Sequence, residues 1–142
     1  MRTLTHLGGA RATILAALLL VAAGGEARAA GFAALLGNAL SHAAVQVLKR
    51  TVRRARPCDA YGVPLALVEL PDPFSFPSGH SAAAFAVAIP VALTWAWAAP
   101  FVLTLAAVIA YSRFALRVHH ASDVSAGVAL GACGALAALR LL

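Results

Sequence analysis

The sequence predicts an all-α helical bundle integral to a membrane, with about five transmembrane helices, and three observations point there. Apolar residues make up 62% of the 142-residue chain and charged residues 11%, whereas a soluble domain is nearer half apolar and a quarter charged. Mean hydropathy is +0.86. The positive residues behind the formal charge of +6 are not spread over a surface. Lys49, Arg50, Arg53, Arg54 and Arg56 form one group and Arg113 with Arg117 a second, each lying between greasy segments. Few aromatic residues are interleaved with them for base stacking, which argues against nucleic acid as a partner. Basic clusters placed this way suit an anion site at a membrane edge.

Residues 1–30 form an N-terminal apolar segment with two readings. Arg2 and Arg11 precede the run Ile14 to Ala23, and Ala27-Arg28-Ala29 resembles a cleavage site, the pattern of a signal peptide. The other reading, which is favoured, is a retained first transmembrane helix; cleavage would leave four. Residues 31–142 form the bundle core. Its first segment runs from Gly31 to Leu48, where His42 and Gln46 are one turn apart and are expected to face the bundle interior in a structural role. The stretch from Pro57 to Pro77 is a polar linker, because Pro57, Pro64, Pro71, Pro73 and Pro77 rule out a continuous helix. Its apolar residues Leu65, Leu67, Leu70, Phe74 and Phe76 suit either a lipid chain or packing onto the bundle.

The next segment is Ser81 to Ala98, with Pro90 expected to kink it and Trp95 and Trp97 as interfacial anchors. Pro100 opens Phe101 to Tyr111, and the last segment runs from Val124 to Leu142, where Gly127, Gly131 and Gly134 allow close helix contacts. Cys58 and Cys133 have no metal-ligand spacing; they read as a loop thiol and a small packing residue. Counting crossings, the Lys49–Pro57 run, the Pro77-Ser78-Gly79-His80 turn and the Ser112–Asp123 stretch all emerge on one side of the membrane.

That convergence joins three polar clusters. Ser78 is a natural N-cap, and Gly79 lets the backbone approach a ligand at the positive end of a helix, an anion cradle. His80 stands beside it, placed to donate a proton. Arg113 carries a guanidinium suited to forked contact with phosphate oxygens. His119 and Asp123 are four residues apart; if that segment is helical they share a face, and the carboxylate can hold one imidazole nitrogen while the other acts as nucleophile or base. Arg117 and His120 stay outside this constellation.

In order, these clusters read Lys49 with Arg56-Pro57, then Pro77-Ser78-Gly79-His80, then Ser112-Arg113 with His119 and Asp123. The set resembles the type 2 phosphatidic acid phosphatase superfamily, whose pattern is K-x6-R-P, P-S-G-H and S-R-x5-H-x3-D; each part is complete and correctly spaced. The resemblance covers Gly31 to the C-terminus, and the chain departs from it in having fewer helices than the six of many membrane members. It implies that His119 attacks phosphorus to give a phosphohistidine, Asp123 fixes its tautomer, and His80 protonates the leaving oxygen and later activates water. Lys49, Arg56, Ser78, Gly79 and Arg113 would hold the phosphoryl oxygens, with no metal and no cofactor. The implied substrate is a lipid phosphate or pyrophosphate, of polyprenyl or glycerophospholipid type. The wording L-R-V-H-H-A-S-D-V and the small size look like short bacterial members, some of which act on prenyl-linked phosphoribose. The implied location is a bacterial inner membrane. Arg2 and Arg11 argue for a site on the cytoplasmic side, whereas the family's bacterial lipid phosphatases more often face outward. The alternative is a non-catalytic assembly or transport subunit with a vestigial site, which would predict a gap at His80, His119 or Asp123.

Overall fold

A computed structural model describes residues 5–142 except 69 and 71, so Arg2 and Pro71, named above, lie outside the described residues. Among the described residues a 3-10 turn, His6–Gly8, leads into five α-helices: α1 (Ala10–Ala23), α2 (Gly25–Val52), α3 (Gly79–Thr94), α4 (Ala99–Ala115) and α5 (Ala121–Leu141). α2, α3 and α5 pack on one another as a three-helix core; α1 lies against α2 and α4 against α3. Each helix runs past its expected start or end. α2 begins at Gly25 rather than Gly31, because Gly24 (φ 80°) and Gly25 (φ 54°) take the left-handed backbone that turns α1 back into α2. At its other end α2 continues through Lys49 to Val52 and stops where Arg53 adopts a left-handed cap, its N–H donating to the Lys49 carbonyl. Pro90 lies inside α3, which ends at Thr94 before a turn carrying Trp95 and Trp97, at the end of the bundle away from Lys49 and His80.

The packing is inverted relative to a soluble protein. The buried core is dominated by alanine, including Ala33, Ala34, Ala82, Ala86, Ala135 and Ala138, while Leu15, Leu19, Val47, Leu93, Phe101 and Leu141 are exposed. Small residues let the backbones meet. A Cβ at Gly127 would overlap the Ser78 carbonyl oxygen, and one at Gly131 that of Ala82. α2 and α5 touch similarly at Gly37 and Gly134, where an added Cβ on Gly134 would come within 2.6 Å of the Gly37 oxygen.

Among the described residues two helices, α2 and α5, are long and apolar enough to cross a membrane; α1, α3 and α4 are apolar but shorter. The expectation of five full-length spans is corrected to that extent, because the Trp95–Ala98 turn and the Gly24–Gly25 turn cut their helices at 14, 16 and 17 residues. Cys58 and Cys133 are both free and exposed, so Cys133 lies on the outer surface and not in the packing expected of it.

Candidate active site

His119 precedes α5 in the turn after α4, so the helical premise for its pairing with Asp123 does not hold. His120 is the N-cap and its N–H donates to the Asp123 carboxylate (2.8 Å), which fixes the first turn of α5. Asp123 is fully buried and its other oxygen accepts from Arg54 Nη1 at 2.9 Å. Its carboxylate comes within 3.7 Å of His119 Nδ1, an electrostatic approach too long for a hydrogen bond. The ring is held instead by the Ser75 carbonyl, 2.6 Å from Nδ1. A carbonyl can only accept, so Nδ1 carries the proton and Nε2 keeps its lone pair.

Ser75 is placed by the linker's own hydrogen bonds. Its N–H donates to the Arg54 carbonyl (2.9 Å) and its hydroxyl to that of Ala55 (2.8 Å), beside the antiparallel bridge between Ala55 and Phe74. The Leu67 N–H donates to the Leu116 carbonyl (3.1 Å) and Arg56 Nη1 to that of Val118 (2.8 Å), so the linker is tied to the turn bearing His119. His119 is 97% shielded from solvent. Burial pulls its pKa below the ordinary 6.5, Arg56 and Arg113 add to the pull, and Asp123 and the Ser75 carbonyl oppose it. The ring is therefore neutral at pH 7.

One cavity of about 460 Å³ gathers the clusters. Lys49, Arg56, Gly79, His80, Arg113 and His119 all line it. The two remaining predicted residues stand behind the wall. Ser78 is the N-cap of α3, as expected, but its oxygen takes part in bonds with the Ser81 amide and hydroxyl. Asp123 supports His119 from below, and its carbonyl accepts from the Ser78 N–H (3.0 Å), which joins the α3 turn to α5. A Cβ on Gly79 would meet Val45 Cγ1 at 3.7 Å, an ordinary contact, and Gly79 itself lines the cavity.

Three features went unread in the sequence. Asp72 places its carboxylate on Lys49 Nζ (2.7 and 2.8 Å) and on Arg56 Nη2 (3.2 Å), and the Phe74 N–H also donates to it. Burial raises its pKa, but these donors outweigh burial and hold it below the usual value. Arg54 reaches Asp123 from the basic run. The N-terminal segment closes the site: the buried Thr5 hydroxyl accepts from Arg113 Nη1 (2.6 Å), and Gly8 packs against His80 so tightly that a Cβ there would lie 3.1 Å from the His80 carbonyl oxygen. The Gly8-Gly9 pair was the available signal for that close approach. Among the described residues, Arg113 Nε is a buried N–H with no protein partner.

The family model of the PAP2 superfamily matches residues 30–142. The chain belongs to the PAP2 superfamily. Among known PAP2-type relatives, the chain is 40% identical over 96 residues to decaprenylphosphoryl-5-phosphoribose phosphatase of Mycobacterium tuberculosis H37Rv, covering 68% of this chain and 52% of the relative. It is 38% identical over 130 residues to the protein of the same name from Mycolicibacterium smegmatis, covering 89% and 68%. The chain thus spans about half the length of the tuberculosis relative. Its fold is similar to a transmembrane PAP2 type phosphatidylglycerolphosphate phosphatase from Bacillus subtilis, with a TM-score of 0.80 at 26% identity over 99% of this chain and 74% of the other.

Proposed function

We propose that this chain is a membrane-embedded, metal-independent phosphatase of a lipid phosphate, working through a phosphohistidine. The observation that carries the reading is one cavity wall shared by His80, His119 and the cations Lys49, Arg56 and Arg113. His119 Nε2, its lone pair freed by the Ser75 carbonyl on Nδ1, attacks phosphorus. The P–O bond to the leaving group breaks as His80 gives that oxygen a proton. His80 then takes a proton from water as the water oxygen displaces His119, releasing inorganic phosphate and the free imidazole. Lys49, Arg56, Arg113 and the Gly79 amide stabilise the charge on the transferring oxygens, and a phosphate oxygen satisfies the orphan Arg113 Nε–H. Asp123 offsets the charge that His119 gains, and Ser78 fixes the turn that presents the Gly79 amide.

The alanine core and leucine-rich exterior support a bundle solvated by lipid, in which all five helices cross. Helices of 14, 16 and 17 residues reach about 21–25 Å, and a bilayer core of ~30 Å accommodates the difference by local thinning. Residues 5–30 belong to the working bundle in this reading, since Thr5 and Gly8 complete the site. The membrane is the bacterial plasma membrane. The substrate class follows the relatives: a phosphate monoester on a hydroxyl-bearing unit joined to a lipid, of the prenyl-phosphoryl pentose phosphate type.

Purified protein in detergent, treated with a chelator, is expected to release phosphate from such a lipid. No release from any phosphate ester, lipid or soluble, would refute the enzyme reading.

Asp72 is expected to compete with phosphate for Lys49 and Arg56. Asp72→Asn should therefore tighten inhibition by inorganic phosphate roughly fivefold, equivalent to about 1 kcal/mol for a partly exposed ion pair. Weaker inhibition in that variant would show that Asp72 holds the cations in place for phosphate instead.

A further inference from the structure

α2 carries a polar stripe that the proposed chemistry leaves unused. Asn38, His42 and Gln46 follow at four-residue intervals and lead up the helix to Lys49. The sequence expectation that His42 and Gln46 face the bundle interior is not met. His42 is exposed, and all three side chains line the catalytic cavity together with His80 and His119. Asn38 is anchored, its amide donating to Thr13 Oγ1 (3.1 Å). Gln46 Nε2 donates to His42 Nε2 (3.3 Å), so His42 carries its own proton on Nδ1. Among the described residues, the His42 Nδ1–H and the Gln46 carbonyl oxygen then have no protein partner. One donor and one acceptor, a helical turn apart, match a hydroxyl-bearing group, in which each O–H both donates and accepts.

The stripe does not end blindly. Asn38, His42 and Ala10 also line a crevice of about 320 Å³ between α1 and α2, whose other walls are the apolar Ile14, Leu35 and Ala39. The cavity and this crevice adjoin, with those three residues lining both. The apolar groove between α1, α3 and α4 shares none with the cavity. Along the α2 axis, Gln46 lies about 4.5 Å and His42 about 10.5 Å from Lys49, at ~1.5 Å per residue. A ring-sized polar unit fits that interval, with apolar wall beyond it. Polar side chains on a lipid-solvated helix are costly unless they face such a cavity.

We infer that the α1–α2 crevice receives the leaving group: a hydroxylated unit against Gln46 and His42, and the start of its lipid tail along Ile14, Leu35 and Ala39. This rests on the phosphatase reading and adds the leaving-group subsite to it. The subsite binds polyol-linked lipid phosphates in preference to phosphates joined directly to a hydrocarbon.

The test compares an alkylphosphoryl pentose 5-phosphate, its 2,3-dideoxy counterpart with the same tail, and the water-soluble ester p-nitrophenyl phosphate. Wild-type enzyme is expected to favour the hydroxylated lipid over the dideoxy lipid in kcat/KM by about tenfold or more, as sites that hydrogen-bond a hydroxyl do. His42→Leu/Gln46→Leu should bring that ratio close to one. Filling the crevice with Ala39→Phe should lower kcat/KM for both lipids relative to p-nitrophenyl phosphate. A ratio unchanged by the double substitution would overturn the hydroxyl subsite. An Ala39→Phe variant with unaltered lipid preference would overturn the tail's course. Hydrolysis of p-nitrophenyl phosphate separates these failures from failure of the phosphatase reading, which loss of all three activities in wild type would signal.

Discussion

His119→Ala is expected to lower phosphate release by roughly ten-thousand-fold or more, since a nucleophile acting as one unit with its acid and its cations cannot be removed in part. The loss belongs to chemistry and not to folding. The imidazole donates a single hydrogen bond, to the Ser75 carbonyl, and leaving that acceptor unpaired costs about 1–3 kcal/mol. His119→Asn keeps a donor for that carbonyl and has no nucleophilic nitrogen. It should unfold close to the wild-type temperature in detergent and be as inactive as the alanine variant. Robust turnover by either variant would remove His119 from the centre of the reaction.

Gly127→Val should have the largest effect away from the reacting groups. Gly127 lies on α5 where even a Cβ would overlap the Ser78 carbonyl oxygen and reach 3.0 Å from Ser81 Cβ. No flexible side chain can give way, because the obstruction is backbone at the first turn of α3. The helices must separate, and that turn carries Gly79 and His80 while α5 carries Asp123. Overpacking of this kind costs about 1–3 kcal/mol, and the displacement misaligns His80 with His119. A fall in melting temperature together with at least about a hundredfold loss of kcat/KM is expected, since misplacement of ~1 Å is enough for that. Ala129→Val, on the exposed face of the same helix, serves as the control and should change neither. A Gly127→Val protein with wild-type activity and stability would mean that α3 and α5 do not meet backbone to backbone there.

Much of this was legible in the residues because motif spacing and helix count constrain each other. Lys49, His80 and His119 belong to different segments, and only an even number of crossings between them brings them to one end. The glycines of α5 gave the close contact, since a helix with Gly127, Gly131 and Gly134 on one face offers backbone to its neighbour. What stayed hidden lies in segments without periodicity. The linker has no repeat from which a side chain's direction can be read, so neither the Ser75 carbonyl on His119 nor the Asp72 carboxylate on Lys49 had a sequence signal. The pairing inferred for His119 and Asp123 presumed a helix, but α5 begins two residues after His119, and the carboxylate bonds to the helix start and Arg54 while standing 3.7 Å from His119 Nδ1. Helix ends were misjudged for a related reason. Alanine and glycine runs continue as helix wherever a neighbour packs on them, so α2 starts six residues before the expected Gly31. His42 and Gln46 were assigned inward by polarity alone, whereas the polar space available to them is the cavity and its crevice.

Rapid acid-free quenching during turnover, followed by mass spectrometry of the digested protein, tests the shared clamp of two imidazoles most directly. A phosphoryl group on the peptide containing His119, lost on mild acid treatment and absent from the His119→Asn variant, is the expected result. Turnover with the phosphoryl group on another residue, or with label incorporated equally by His119→Asn, would contradict it.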